Sequence, residues 1–214
     1  MNRIIEKREI KISKTARYFQ IGHLSERTKE IWFVLHGYGQ LASSFLKWFE
    51  PIDDGSRLIV APEGLHRFYW EGFSGKVVAS WMTKEERISD ISDYIDFLDA
   101  VYAEVAGDTD YHIRVFGFSQ GAATACRWAL NGTSAINSLI LWAGAFPHDL
   151  DYSKYAQRLN EMDIKVLIGD EDRFITLDQA EEHKKEMEAK GVNFELIKFS
   201  GGHKVYDDPL ISIV

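Results

Sequence analysis

Short apolar runs recur along the chain and alternate with amphipathic stretches. Six runs are rich in β-branched and aromatic residues and have the length of buried parallel strands. They lie at 30–36, 57–62, 112–118, 138–144, 164–170 and 194–200. Two earlier stretches, 4–12 and 15–22, also have strand-like patterns. Because only a short gap separates them, they are predicted to form an antiparallel hairpin.

Two of the intervening stretches have helical periodicity. In 85–106 the apolar residues form one stripe and the acidic residues lie off it. In 177–190, Thr176 is a candidate N-cap with Gln179 as its capping-box partner, and Gly191 can close the helix. The alternation predicts an α/β fold with an eight-stranded, mostly parallel sheet and helices on both faces. In such sheets, active sites lie at the carboxyl ends of the strands.

Length and composition favour one globular domain over residues 1–214. The chain is 45% hydrophobic, 13% aromatic and 27% charged. Its formal net charge of -8, without a basic run, disfavours nucleic acid as a partner. The start of the chain has no secretory apolar region, no run is long enough to span a membrane, and Cys126 is the single cysteine. We therefore expect a cytoplasmic protein without integral membrane association; these patterns do not specify its oligomeric state.

The motif GFSQG at 117–121 raises the first candidate chemistry. The G-x-S-x-G pattern alone is common, so its surroundings must support it. It lies between a predicted strand and a helical stretch, which places Ser119 at a sharp turn where the two glycines allow close packing. The turn exposes the serine hydroxyl. It also leaves the N–H of Gln120 at a helix N-terminus, where it can donate to an oxyanion.

A serine nucleophile needs a base and an acid that orients the base. His203 follows the last predicted strand, in a glycine-containing loop that can bring the ring over the sheet edge. In the chain order serine, acid, histidine, Asp172 is favoured because it lies past a strand end where a loop can turn it inward. The rival acids are Asp170 and Glu171, with Asp149 and Asp151 as outside candidates.

Other candidate site residues lie in loops and in an aromatic-rich region. In VLHGYGQ, after the strand at 30–36, the N–H of Tyr38 is the expected second oxyanion donor. His36 is expected to hold this loop by hydrogen bonds rather than to act as a base. Several aromatic residues could line a pocket for an apolar group. The predicted substrate-binding residues are Trp70, Phe73, Trp81, Phe146 and Phe174.

Together these motifs resemble the α/β-hydrolase fold and, more closely, the phospholipase/carboxylesterase family, which includes acyl-protein thioesterases and small bacterial esterases. The matching pieces follow the family's order along nearly the whole chain. They are LHGYG (35–39), APEG (61–64), GFSQGA (117–122), GDEDRFI (169–175) and GGH (201–203). The resemblance implies that Ser119 is the nucleophile, Asp172 the acid and His203 the base. It also implies an oxyanion hole formed by the N–H groups of Tyr38 and Gln120.

The implied reaction is hydrolysis of a carboxylic ester through an acyl-enzyme, with thioesters and lysophospholipids as further candidates. The substrate would be a small-molecule ester, and the reaction would need no metal and no cofactor. The stretch 145–163 is too short for a large cap domain, so an open site is expected. The chain departs from the family pattern after Asp172, where it reads RFIT, and over 64–84. Both departures fall where substrate is chosen, so the resemblance does not extend to substrate identity.

Two other functions fit parts of the sequence. LHGYGQLA contains G-x-G-x-x-A after a strand, and Glu63 follows the next strand, as in a dinucleotide-binding oxidoreductase. That hypothesis does not need His36 and leaves Ser119, Asp172 and His203 unexplained. A ligand-binding or sensing protein could also use a hydrolase scaffold, because fold does not fix function. The complete set of triad residues argues against that alternative.

Overall fold

The computed structural model describes residues 4–107 and 110–214. The strands described there are β1 (Tyr18–Ile21), β2 (Glu30–Leu35), β3 (Arg57–Pro62), β4 (His66–Glu71), β5 (Ser74–Ser80), β6 (His112–Phe118), β7 (Ser138–Trp142), β8 (Asp163–Gly169) and β9 (Glu195–Phe199). The α-helices are α1 (Ala42–Phe45), α2 (Arg87–Val105), α3 (Gln120–Asn131), α4 (Tyr152–Asn160), α5 (Leu177–Ala189) and α6 (Asp207–Ile211). A 3-10 helix, Leu46–Ile52, continues from α1.

Seven of these strands form one sheet in the order β1-β3-β2-β6-β7-β8-β9. β1 is antiparallel to β3, and the other neighbours in this sheet are parallel. Helices α2 to α5 contribute to the apolar core on one face, and α1, the 3-10 helix and α6 contribute to the core on the other. The predicted α/β-hydrolase class, with a mostly parallel sheet and helices on both faces, is confirmed.

The predicted N-terminal hairpin is wrong, and the main sheet has seven strands rather than eight. Residues 4–12 form no strand, and their isoleucines are largely exposed. Charged residues interrupt the apolar positions of this stretch, so neither face of a strand would be apolar enough to bury. The prediction for 15–22 is confirmed in part, because β1 lies within it and pairs antiparallel with β3, as the edge strand of the sheet.

A hairpin of β4 and β5 lies in the stretch 64–84, where no strand was predicted. Its turn contains Gly72 with φ 66°, and Gly75 follows with φ 84°. Both values lie in the left-handed region that glycine adopts at little cost. The sequence signal was present, since the aromatic run before EGFSG and the valines after it have the composition of strands.

The other predicted elements agree closely with the structure. Each of the six predicted buried strands is present, and its ends lie within two residues of the predicted ones. The capping box of α5 has both of its hydrogen bonds, since the Thr176 side chain accepts from Gln179 N–H at 3.2 Å and Gln179 Oε1 accepts from Thr176 N–H at 2.9 Å. Across the described residues, no helix combines the length and apolarity needed to cross a membrane.

Candidate active site

Ser119 occupies a strained turn between β6 and α3. Its backbone has φ 53° and ψ −113°, which a residue with a side chain rarely adopts. The Ser119 N–H donates to the carbonyl of Trp142 on β7 at 2.9 Å. The Ser119 carbonyl accepts from Ala122 N–H at 3.0 Å in the first turn of α3. The surrounding backbone therefore fixes the serine in the conformation of a nucleophile elbow.

The two glycines of GFSQG make this turn sterically possible. A Cβ atom on Gly117 would lie 2.3 Å from the carbonyl oxygen of Gly121. A Cβ atom on Gly121 would lie 2.1 Å from the carbonyl oxygen of Leu35 at the end of β2. These separations are far below van der Waals contact, so only glycine lets α3 begin so close to β6 and β2.

The structure brings Asp172 and His203 together. His203 Nδ1 lies 2.7 Å from Asp172 Oδ2. The other carboxylate oxygen, Oδ1, accepts from the N–H groups of Phe174 at 2.8 Å and Ile175 at 3.2 Å. Since Asp172 is buried and accepts on both oxygens, the hydrogen-bond network assigns the imidazole proton to Nδ1. That tautomer leaves the lone pair on Nε2, the atom a general base uses.

Two of the four rival carboxylates are engaged elsewhere. Asp170 accepts from the N–H of Gly201 at 2.9 Å and so holds the loop that carries His203. Asp149 forms ion pairs with Arg87 at 2.6 Å and Arg127 at 2.8 Å. The two remaining rivals, Glu171 and Asp151, are exposed.

Two aromatic rings flank His203. The Phe174 ring centroid lies 4.6 Å from that of the imidazole, and the Phe118 ring centroid lies 5.0 Å from it. Phe118 is buried at the end of β6, whereas the Phe174 ring is 61% exposed. Of the predicted substrate-binding residues, Phe174 is therefore the one beside the candidate base, and it is largely exposed.

The two N–H groups predicted for the oxyanion hole are available. In the part of the chain that the structure describes, the N–H groups of Tyr38 and Gln120 have no hydrogen-bond acceptor. Gln120 is the first residue of α3, so its N–H lies at the positive end of the helix dipole. Both groups can therefore donate to a negatively charged oxygen.

His36 is fully engaged in holding the loop after β2, as predicted. Its Nδ1 lies 2.8 Å from the carbonyl oxygen of Gly37, and its Nε2 accepts from Gly64 N–H at 2.9 Å. The ring is buried and stacks on Trp81 at 5.0 Å between centroids. Burial lowers the pKa of His36 to about 4, so the ring stays neutral at neutral pH.

We expect His36 to make the fold sensitive to mild acid. An unfolded histidine titrates near pH 6.5, so between that pH and about 4 the unfolded chain binds a proton that the folded chain does not. Stability is thus full above pH 6.5 and falls as pH decreases, by about 2 kcal/mol from this group between pH 7 and pH 5. Urea unfolding at both pH values measures the loss in wild type, in His36→Gln and in the exposed-histidine control His23→Gln. An equal loss in all three proteins would contradict the assignment.

Trp81 and Phe146, predicted to bind substrate, are instead core residues. Trp81 is fully buried, and its indole N–H donates to the carbonyl of His36 at 2.8 Å. Phe146 is also buried and packs against Tyr152 and Phe194, with ring centroids 5.5 and 5.4 Å away. Both predictions are corrected for the same reason, since each ring is surrounded by protein and has no surface to offer a ligand.

Trp70 and Phe73 lie on the β4–β5 hairpin and are exposed. The Trp70 ring centroid is 6.0 Å from that of Tyr38 and 6.5 Å from that of Phe68. Tyr38, whose N–H is a candidate oxyanion donor, thus forms an aromatic cluster with Phe68 and Trp70 of the hairpin. Phe73 lies at the hairpin tip and is 94% exposed. A substrate contact for Trp70 or Phe73 stays a prediction.

The side chain of Gln120 has a role that the sequence did not reveal. Its Oε1 accepts from Trp81 N–H at 3.1 Å and from the Ser80 hydroxyl at 3.2 Å. Its Nε2 donates to the carbonyl of Met82 at 3.0 Å. Gln120, the residue that follows Ser119, therefore connects the start of α3 to the end of the hairpin. Only its backbone N–H could be inferred from the motif, because the side chain's partners are about 40 residues away in sequence.

The acidic residue of the dinucleotide hypothesis is not free to bind a ribose. Glu63 is buried, and its Oε1 accepts from Arg17 Nε at 2.7 Å. Its Oε2 accepts from Ala42 N–H at 3.3 Å. The helix after the glycines is only four residues long, whereas a pyrophosphate is bound at the start of a full helix. The glycine loop therefore lacks the setting that this hypothesis requires.

A family model described as Serine hydrolase (FSH1) matches residues 58–207, well over half of the chain. The chain belongs to this serine hydrolase family. The matched region contains Ser119, Asp172 and His203. Among curated proteins, none matches the chain.

Solved structures of hydrolases share the fold of this serine hydrolase. Acyl-protein thioesterase 2 from Zea mays has a TM-score of 0.72 at 17% identity, covering 93% of this chain and 96% of that one. Esterase PE8 has a TM-score of 0.68 at 20% identity, covering 94% and 96%. The carboxylesterase of Bacillus cereus has a TM-score of 0.66 at 16% identity, covering 92% and 91%. At these identities the likeness shows the fold, and together with the serine hydrolase family match it confirms the predicted resemblance.

Proposed function

We propose that this serine hydrolase cleaves carboxylic esters through an acyl-enzyme on Ser119, with His203 as base and Asp172 as orienting acid. The observation that carries the proposal is the strained backbone of Ser119, with φ 53° at the carboxyl end of a central strand. Such strain persists only where the surroundings enforce it, and it clusters at functional sites. The hydrogen bond of 2.7 Å between Asp172 and His203 supplies the partner that a serine nucleophile needs.

In the first half of the reaction, Ser119 Oγ attacks the ester carbonyl while His203 Nε2 accepts its proton. Asp172 holds the imidazole in the required tautomer and stabilises the imidazolium that forms. The carbonyl oxygen becomes an oxyanion and accepts from the N–H groups of Tyr38 and Gln120. His203 then donates the proton to the leaving alcohol, and the acyl group remains on Ser119.

In the second half, water replaces the alcohol. His203 Nε2 accepts a proton from water as the water oxygen attacks the acyl-enzyme carbonyl. The second tetrahedral intermediate uses the same two N–H donors. Its collapse releases the carboxylic acid and returns the proton to Ser119. Every proton and acyl transfer in this cycle is accounted for by side chains of this chain, the ester and water.

Aromatic rings that are exposed or half-buried support an ester with an apolar group as substrate. Phe174 flanks the base, and the cluster of Tyr38, Phe68 and Trp70 flanks the loop with the oxyanion donor. Structural neighbours named as acyl-protein thioesterase and carboxylesterase make simple esters the first substrates to test and thioesters the next. Lysophospholipid substrates, a single domain over 1–214 and a cytoplasmic location remain predictions.

The proposal is tested with p-nitrophenyl acetate, butyrate and octanoate and with a fluorophosphonate probe. We expect saturable turnover of at least one ester, and one phosphonyl group per chain on the peptide that contains Ser119, located by mass spectrometry. Heat-denatured protein is the control and should not be labelled, because labelling needs the folded site. If the folded protein showed no turnover and no labelling, the result would favour a ligand-binding or sensing protein on a hydrolase scaffold.

A further inference from the structure

Three consecutive N–H groups in the loop after β2 are used differently. The N–H of Gly37 donates to the side-chain oxygen Oε1 of Gln40 at 2.7 Å. The N–H of Gly39 donates to the carbonyl of Ala79 on β5 at 2.9 Å. Between them, the N–H of Tyr38 has no acceptor within residues 4–107 and 110–214. The loop thus keeps one donor free between two that are engaged.

Gln40 connects both ends of this loop. Its side chain reaches back to Gly37, and its own carbonyl accepts from Ala79 N–H at 3.1 Å. With the bond from Gly39, this forms an isolated antiparallel bridge between Gln40 and Ala79. The four-residue turn is closed by a side-chain bond on one side and by the bridge to β5 on the other. Its peptide planes therefore cannot rotate independently.

The turn is also packed on both sides. A Cβ atom on Gly37 would lie 2.9 Å from the ring of Phe118, the last residue of β6. Gly39 has φ 75°, and a Cβ atom there would lie 2.4 Å from the ring of Trp70 on the hairpin. The direction of the Tyr38 N–H is consequently set by contacts to the nucleophile strand and to the hairpin together.

We propose that Gln40 is a positioning residue for the oxyanion hole. Its amide oxygen takes up the Gly37 N–H, and this holds the following peptide so that the Tyr38 N–H points to the oxyanion formed on Ser119. The inference rests on the proposed function and adds a residue to it. Without the Gln40 acceptor, the Gly37 N–H would be left unsatisfied, and the loop would rotate to find another partner. Because full charge develops on the oxygen only in the transition state, such a rotation weakens transition-state binding more than substrate binding.

Gln40→Met tests this, since methionine has a similar length but no comparable acceptor. We expect kcat for p-nitrophenyl butyrate to fall roughly 5- to 50-fold, with KM within about twofold of wild type. The affinity for phenylboronic acid, which forms a tetrahedral adduct with an active serine, should weaken by the same factor as kcat. Gln157→Met, on the exposed face of α4, is the matched control and should behave as wild type.

A purely structural role of Gln40 predicts a different result. It would lower the melting temperature or the fraction of sites titrated by the fluorophosphonate, while kcat per titrated site and boronate affinity stayed at wild-type values. That result, or an increase in KM alone, overturns the inference. Should Gln40→Met not fold, Gln40→Ala removes the same acceptor and is judged by the same criteria. Failure of wild type to cleave the ester would refute the proposed function and this inference with it. If wild type cleaves the ester and Gln40→Met has the same kcat, the inference is refuted while the proposed function stands.

Discussion

Replacing Ser119 by alanine is expected to reduce kcat for p-nitrophenyl ester hydrolysis by roughly 10⁴-fold or more. The substitution removes the oxygen that forms the acyl-enzyme but leaves the oxyanion donors and the Asp172–His203 pair in place. The remaining rate should be the small enhancement that binding and the oxyanion hole give to attack by water. KM should change little, because the serine hydroxyl contributes mainly in the transition state.

The Ser119→Ala protein should also fold as wild type does. Alanine adopts φ 53° no more easily than serine, so the strain of the turn is nearly unchanged. Ser153→Ala, at an exposed serine on α4, is the matched control and should retain wild-type kcat. The decisive measurement is kcat per folded molecule, with fluorophosphonate labelling as an independent readout. A Ser119→Ala enzyme within tenfold of wild type would show that another group is the nucleophile.

The main sheet and the positions of the candidate triad follow from the sequence for a physical reason. Parallel strands of similar length place their carboxyl ends at one edge, so residues just after β6, β8 and β9 lie along the same edge of the sheet. Ser119, Asp172 and His203 occupy such positions, and the structure brings the last two into hydrogen-bond contact. The sequence could favour Asp172 over its rivals Asp170 and Glu171, because it lies past the strand end where a loop can turn it inward, and the structure adds its contact with His203.

The order of the strands does not predict which way the aromatic side chains of the hairpin region point. Trp81 and Trp70 both lie in an aromatic-rich stretch, but one is buried against His36 and the other packs over Gly39. This difference depends on how the β4–β5 hairpin joins the loop after β2, and that contact links distant parts of the chain. The same holds for the side chain of Gln120 and for the backbone of Gln40, which bond to residues in β5 or just after it. Local periodicity carries no information about such long-range pairing.

The second large effect is expected from Asp172→Asn, which should lower kcat by about 10³- to 10⁴-fold without a large change in KM. The asparagine amide can donate to the imidazole, so the ring would adopt the tautomer that carries its proton on Nε2. In that tautomer His203 cannot accept the proton of Ser119. The replacement would also remove the negative charge that stabilises the imidazolium during each proton transfer. The loss should therefore appear in both acylation and deacylation.

Asp170→Asn is a sharp control, since it makes the same chemical change two residues away. Its carboxylate accepts from Gly201 N–H at 2.9 Å, and the asparagine oxygen can keep that bond. We expect kcat within a few-fold of wild type, and any destabilisation should appear in urea unfolding instead. The opposite ranking, with Asp170→Asn the slower enzyme, would mean that the 2.7 Å bond to His203 is structural and that the acid is misassigned. The pair thus separates an acid that orients the base from one that only holds its loop.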